Sequence, residues 1–186
     1  MKPPQDQDGP EWKIQLIPFP GLLATAPPDD QNVDTLGAGD HGGNLDVPWF
    51  TAGSTILLPV HHPGALFFVG DLHGTQGDGE FIGGAIEIGG RITLRLDVRK
   101  QDTFAGPRFE TPELLGATGA GSNMEEALKQ SCARLVNWIS ASRGWNRWHT
   151  YHLVTQSAIA RPGNRYTASC AVPRNLLGGG ERLSSS

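Results

Sequence analysis

Over most of this chain a proline or glycine falls every few residues, and that punctuation constrains the fold more than any other feature. Glycine (25) and proline (14) make up about a fifth of the 186 residues. Long uninterrupted helices are therefore excluded from most of the chain, because glycine weakens a helix interior and proline breaks it. Charged residues are only 18%, too few for a coiled coil. Glycine shows no three-residue period, so a collagen-like chain is excluded. What remains is a turn-rich globular protein. The order of patterned segments predicts an α+β, β-rich fold: short antiparallel strands in a barrel- or sandwich-like core, then one main helix packed on further strands.

Residues 1–12 read as a disordered lead-in, 13–105 as a β-rich portion, 106–178 as an α+β portion, and 179–186 as a polar tail. In the first portion, Lys13–Ala26 is broken by Pro18, Pro20 and Gly21 into short strands. Residues 27–48 read as a long loop. Thr55–Val60 and Ala65–Asp71 flank His61-His62-Pro63-Gly64 and read as a hairpin. A further short strand covers Ala85–Ile88. In Arg91–Lys100, Ile92, Leu94, Leu96 and Val98 alternate with Thr93, Arg95, Asp97 and Arg99, which predicts a half-buried strand. Ser122-Asn123-Met124-Glu125 reads as a capping box opening a helix. Its inward face is Met124, Ala127, Leu128, Leu135, Val136 and Ile139, and Gly144 stops it. Tyr151–Ser157 and Arg165–Val172 read as strands.

The net charge of −4 and the scattered basic residues give no broad surface for phosphates, so no nucleic-acid partner is expected. Met1–Pro10 lacks an apolar run and no apolar segment reaches 18 residues, so neither a signal peptide nor a membrane span is expected, and the expected location is cytoplasmic. Cys132 and Cys170 read as buried free thiols.

Two segments concentrate chemistry. Residues 70–80, GDLHGTQGDGE, carry Asp71, His73, Gln76, Asp78 and Glu80. Carboxylates and imidazole are the donors of divalent-metal sites and the usual general acids and bases. Asp71 and His73 are two apart at a strand end, so both point the same way. Residues 40–46, DHGGNLD, add His41, Asn44 and Asp46. Read blandly, each is a polar turn bonding its own backbone. Read together, they are two loops converging on one site. Gly116–Ser122 resembles a phosphate loop only faintly, since it lacks the lysine. No glycines frame Ser157 as a nucleophile elbow. Trp145, Trp148 and Tyr151 read as core or interface. The Asp and Gly density at 71–80 also admits a calcium- or carbohydrate-binding β-domain, a reading that leaves HGGNLD unexplained.

HGGNLD (41–46), TAGSTILLPV (51–60), PGALFFVGDLHGTQGDGE (63–80), AIE (85–87) and RFETP (108–112) together resemble the acetamidase/formamidase family, as does Pro18-Phe19-Pro20-Gly21. The resemblance spans about residues 13–178. It implies hydrolysis of small linear amides to ammonia and a carboxylate. It implies Glu80, Asp71 and His73 as catalytic, His41, Asn44, Gln76 and Asp78 as site-lining, and Asp46, His73 and Glu80 as ligands of a divalent metal ion, Zn or Ca. The N-terminal part typical of the family is missing here, and the C-terminal segment is abbreviated at Ile159–Gly163. The expected partners are therefore a small amide substrate and either further copies of the chain or a partner chain supplying the missing part. The alternative is a truncated, non-catalytic member acting as a binding or structural subunit.

Overall fold

A computed structural model describes residues 11–100 and 102–178. The expected lead-in falls mostly, and the tail wholly, outside the described residues. Ten strands form two five-stranded antiparallel sheets. The first contains β1 (Phe19–Ala24), β2 (Ala38–Gly39), β3 (Gly42–Asn44), β5 (Phe68–Thr75) and β6 (Ile86–Glu87), in the spatial order β2-β3-β1-β5-β6. The second contains β4 (Thr55–Leu57), β7 (Arg108–Glu110), β8 (Leu114–Ala120), β9 (Ile159–Pro162) and β10 (Thr167–Pro173), in the order β4-β7-β8-β10-β9. Two helices, α1 (Met124–Arg143) and α2 (Arg147–Ser157), lie between β8 and β9 in the chain, and a short 3-10 turn (Arg174–Leu177) follows β10. The fold is the α+β, β-rich arrangement that the pattern predicts. Among the described residues, no helix is long and apolar enough to cross a membrane.

The second sheet is the middle layer. Toward α1, Leu115, Ala117, Cys170 and Val172 pack against Leu135 and Ile139. On the other side, Ala171 and Phe109 pack with Phe19, Leu45, Val47 and Phe50 from the first sheet and its loops. Strand β10 is buried along nearly its whole length because it is covered on both faces. This is why its sequence, TASCAVP, carries small or apolar residues and no charge on either face. Each fully buried Leu or Ile contributes about 1.5–3 kcal/mol by leaving water.

Helix α1 begins one residue later than its expected cap. Asn123 is the N-cap and its side chain accepts from the Glu126 backbone N–H at 3.0 Å. The Glu126 carboxylate returns to Ser122, accepting from its N–H at 2.9 Å and its hydroxyl at 2.7 Å. Gly144 ends the helix at φ 64°, the left-handed conformation that glycine takes without strain. The glycines before the helix form no phosphate loop. They lie within or just beyond β8, and a Cβ on Gly119 would stand 2.1 Å from the Ala127 carbonyl oxygen. Gly119 therefore lets the helix backbone approach the sheet.

Four expected elements differ. Residues 27–48 contain β2 and β3, which pair with each other. Strands β4 and β5 are not a hairpin, since β4 pairs with β7 and β5 with β1. The turn residues between them signal a reversal of direction, but Pro59 and Pro63 leave the chain free to change sheets. Tyr151–Ser157 is helical, part of α2. Asn146 caps it by accepting from the Trp148 N–H at 2.8 Å, and the pair buried at helical spacing is Thr150 and Val154. Trp148 and Tyr151 face outward. Finally, the alternating segment 91–100 pairs with no strand among the described residues. Leu96 and Val98 are each 69% exposed. Alternation specifies a two-faced extended segment, but a strand also needs an edge to join.

Candidate metal centre

The site grows out of the register of the first sheet. Phe19 on β1 lies opposite His73 on β5, and Glu87 on β6 lies opposite His73 on the other side. The Phe19 ring packs edge-on to the imidazole, with centroids 5.2 Å apart. A register shift between His73 and Thr75 frees the strand end to turn into the 76–80 loop. The loop after β3 brings Asp46 to the same place. Its N–H, like that of Leu45, donates to the Gly21 carbonyl.

His73 Nε2 faces three carboxylates: Asp71 Oδ2 at 3.3 Å, Glu87 Oε1 at 3.3 Å and Asp46 Oδ1 at 3.8 Å. His73 and Asp46 are almost fully buried, while Asp71 and Glu87 reach solvent. Asp46, Asp71 and His73 form one potential ligand group, and His73, Glu80 and Glu87 a second sharing the same imidazole. Asn44 and Asn164 both donate to Asp46 Oδ2, at 2.9 and 2.7 Å. They fix the carboxylate and leave Oδ1 buried with no hydrogen-bond partner. Burial pushes the Asp46 carboxyl above its usual range. Burial, then the Asp46 charge, pushes Glu80 up to about 7.

Backbone strain concentrates here as well. Among the described residues, five non-glycines have positive φ, and three of them are Asp46 (50°), Asp71 (55°) and Glu80 (43°). Such conformations cost of order 1–3 kcal/mol each and persist where the surrounding structure imposes them. Gly21 provides the space. A Cβ there would stand 2.6 Å from Asp46 Oδ1, 2.8 Å from Asp71 Oδ2 and 2.8 Å from His73 Cε1.

A divalent cation fits this donor set. Four carboxyls surround one imidazole, and Asp46, Asp71 and Glu87 all face its Nε2. Two like charges 4 Å apart repel by about 4 kcal/mol at an effective dielectric of about 20. One imidazolium cannot offset several such pairs. An orphaned buried oxygen, a cradle free of any Cβ and a set of O and N donors point to an oxygen- and imidazole-binding ion.

Of the remaining expected residues, only Gln76 adjoins this centre. Gln76 Oε1 stands 2.8 Å from His73 Nδ1, and its amide nitrogen donates to the carbonyls of Asp46 and Gly163. Asp78 is turned away and holds Arg161 at 2.5–2.8 Å, tying the 76–80 loop to β9. His41 lies at the β2–β3 turn, where its carbonyl accepts from the Thr25 N–H. It is buried, with Nδ1 unpaired, and burial, then neighbouring His61, pushes its pKa down. It belongs to neither ligand group.

Sequence reasoning missed Gly21, Glu87 and Asn164 as site residues. Gly21 and Glu87 fall within segments that carry the family resemblance. Asn164 has no local signal, since it meets Asp46 from 118 residues away. A cavity of about 560 Å³ adjoins the centre, lined in part by Phe19, Trp49, Gln76, Leu114 and Arg161. None of the clustered carboxylates lines it, so it is a neighbour of the centre rather than its interior.

The class is thus defined: a two-sheet α+β protein with a buried carboxylate–imidazole centre on its first sheet. The model of the Acetamidase/Formamidase family matches residues 28–174, and the chain belongs to that family. A protein of Schizosaccharomyces pombe named as a formamidase is 30% identical over 169 residues, covering 76% of this chain and 41% of its own. An acetamidase of Mycolicibacterium smegmatis is 50% identical over 62 residues, covering 33% of this chain and 15% of its own. The crystal structure of an acetamidase from Yersinia enterocolitica superposes with a TM-score of 0.84 at 33% identity, over 88% of this chain and 51% of that one. The chain spans about half the length of the relatives it matches over most of its own.

Proposed function

We propose that this chain carries the reaction centre of a metal-assisted amidase acting on small linear amides such as formamide or acetamide. The observation that carries the reading is the Asp46–Asp71–His73 cluster, with its orphaned Asp46 Oδ1, on the motifs of the family. Asp46, Asp71 and His73 would hold the ion, with Glu80 and Glu87 at its edge. Zn²⁺ and Ca²⁺ are the two candidates. When bound, a divalent cation polarises a carbonyl and makes a bound water more acidic.

Glu80, half-buried beside Asp46, would take a proton from the attacking water. A carbon–oxygen bond then forms and the carbon–nitrogen bond breaks. Glu80 passes its proton to the departing nitrogen, which leaves as ammonia. Asn44 and Asn164 hold Asp46 in orientation during this exchange. Ammonia release from formamide and acetamide, with and without added Zn²⁺ or Ca²⁺, tests the reading. A folded protein inactive under every condition would sink it for this chain.

A second reading, a non-catalytic subunit of a larger assembly, draws on the uncovered segment 91–100. The partner it implies is a further copy of this chain. Light scattering decides it, because a stable monomer at micromolar concentration removes it.

A further inference from the structure

We infer that Gln76 is a positioning residue that sets the tautomer of His73 and so aims a lone pair at the cation site. This rests on the metal-assisted reading above. The argument starts from the amide's own bonds. Gln76 Nε2 donates to the Asp46 carbonyl at 3.1 Å and to the Gly163 carbonyl at 2.8 Å. Carbonyl oxygens only accept, so both amide N–H groups are committed and the amide cannot flip. The atom facing His73 Nδ1 at 2.8 Å is therefore Oε1, which also only accepts. Nδ1 must carry a proton.

In the singly protonated ring the other nitrogen, Nε2, then bears the lone pair. That nitrogen is the one facing Asp46, Asp71 and Glu87. The result is a convergence of acceptors with no donor among them, which is the electronic requirement of a metal-binding imidazole. The same side chain reaches a second ligand, Asp46. By holding the Asp46 carbonyl, Gln76 helps impose the left-handed backbone at Asp46, while the two asparagines orient its carboxylate. One amide thus braces two ligands that lie 27 residues apart in the chain. Phe19 closes the ring edge-on and makes no hydrogen bond that could replace Gln76.

The test uses the full chain and Zn²⁺ alone. Two-bond ¹⁵N–¹H correlation spectra of the metal-free protein, at a pH where the His73 ring holds a single proton, read the tautomer directly. The expected result is a protonated Nδ1 and an unprotonated Nε2. Competition with a chelator then reads Zn²⁺ affinity. Gln76→Ala is expected to mix the tautomers and weaken binding by about 10–100-fold. Gln76→Glu keeps an acceptor for Nδ1–H, so it is expected to retain the tautomer while losing the bonds to Asp46 and Gly163. A wild-type ring protonated at Nε2 would overturn the inference. So would a folded Gln76→Ala variant with unchanged tautomer and affinity. If the wild-type protein binds no Zn²⁺, the metal-assisted reading with Zn²⁺ fails, and the tautomer spectrum still decides the role of Gln76.

Discussion

The two sheets of this protein are built on opposite principles. The second sheet and α1 bury Leu115, Leu135, Ile139, Cys170 and Val172 in close contact, and Gly119 is there so that backbones can approach. The first sheet buries ionisable groups instead. It places Asp46, Asp71 and Glu80 in left-handed backbone, and Gly21 is there so that three ligand side chains can meet. Just beyond it, segment 91–100 holds Leu94, Leu96 and Val98 in water. The contrast teaches a division of labour. A packed layer supplies the free energy that lets the neighbouring layer hold strained, mutually repelling groups in place.

Substitutions in the two layers should therefore fail in different ways. Glu80→Gln is expected to lower turnover by about 10²–10⁴-fold with no loss of stability, since Gln carries no cost of ionisation in the fold, read by ammonia release and urea denaturation in parallel. Equal losses in both would mean that the site also carries the fold. Leu135→Ala is the converse. It is expected to cost about 2–5 kcal/mol of stability while Zn²⁺ affinity in the folded protein stays put. A large fall in affinity would show that the layers are coupled.

The pH dependence of metal-free stability sharpens the contrast further. Glu80 ionises near 4.5 when unfolded and at about 7 in the fold. Between those values the folded state holds more proton than the unfolded state, so stability falls as pH rises from about 4.5 to about 7 and levels off beyond. Denaturant midpoints across that range should show this slope, and Glu80→Gln should flatten it. The smallest effect is expected at Leu96→Asp. An exposed position away from the core changes stability by no more than about 0.5 kcal/mol. Light scattering should nonetheless report weaker association if this segment docks on a partner.

The division also explains what was legible beforehand. The helix at 124–143 was readable because its cap, its apolar face and its terminal glycine are all local. The donor-rich segments 40–46 and 70–80 were readable because polar residues interleaved with glycine are chemically conspicuous. The strand expected at Tyr151–Ser157 is the second half of α2, because aromatic residues dominate the pattern there while the Thr150 and Val154 face is sparse. Segment 91–100 shows the reverse error: a faultless alternation with no neighbour to pair with.

The sequence by itself determined the class of fold, the family, and the residue types available for a site. It could do so because backbone propensity and side-chain chemistry are properties of short stretches. Only the tertiary structure decided which donors meet. The β1–β5 and β5–β6 registers set Phe19 and Glu87 against His73. Chain crossings bring Asn164 to Asp46 and send Asp78 away to Arg161. A register is a relation between segments far apart in the chain, fixed by burial of one face and by close approach at glycine, and no single segment contains it.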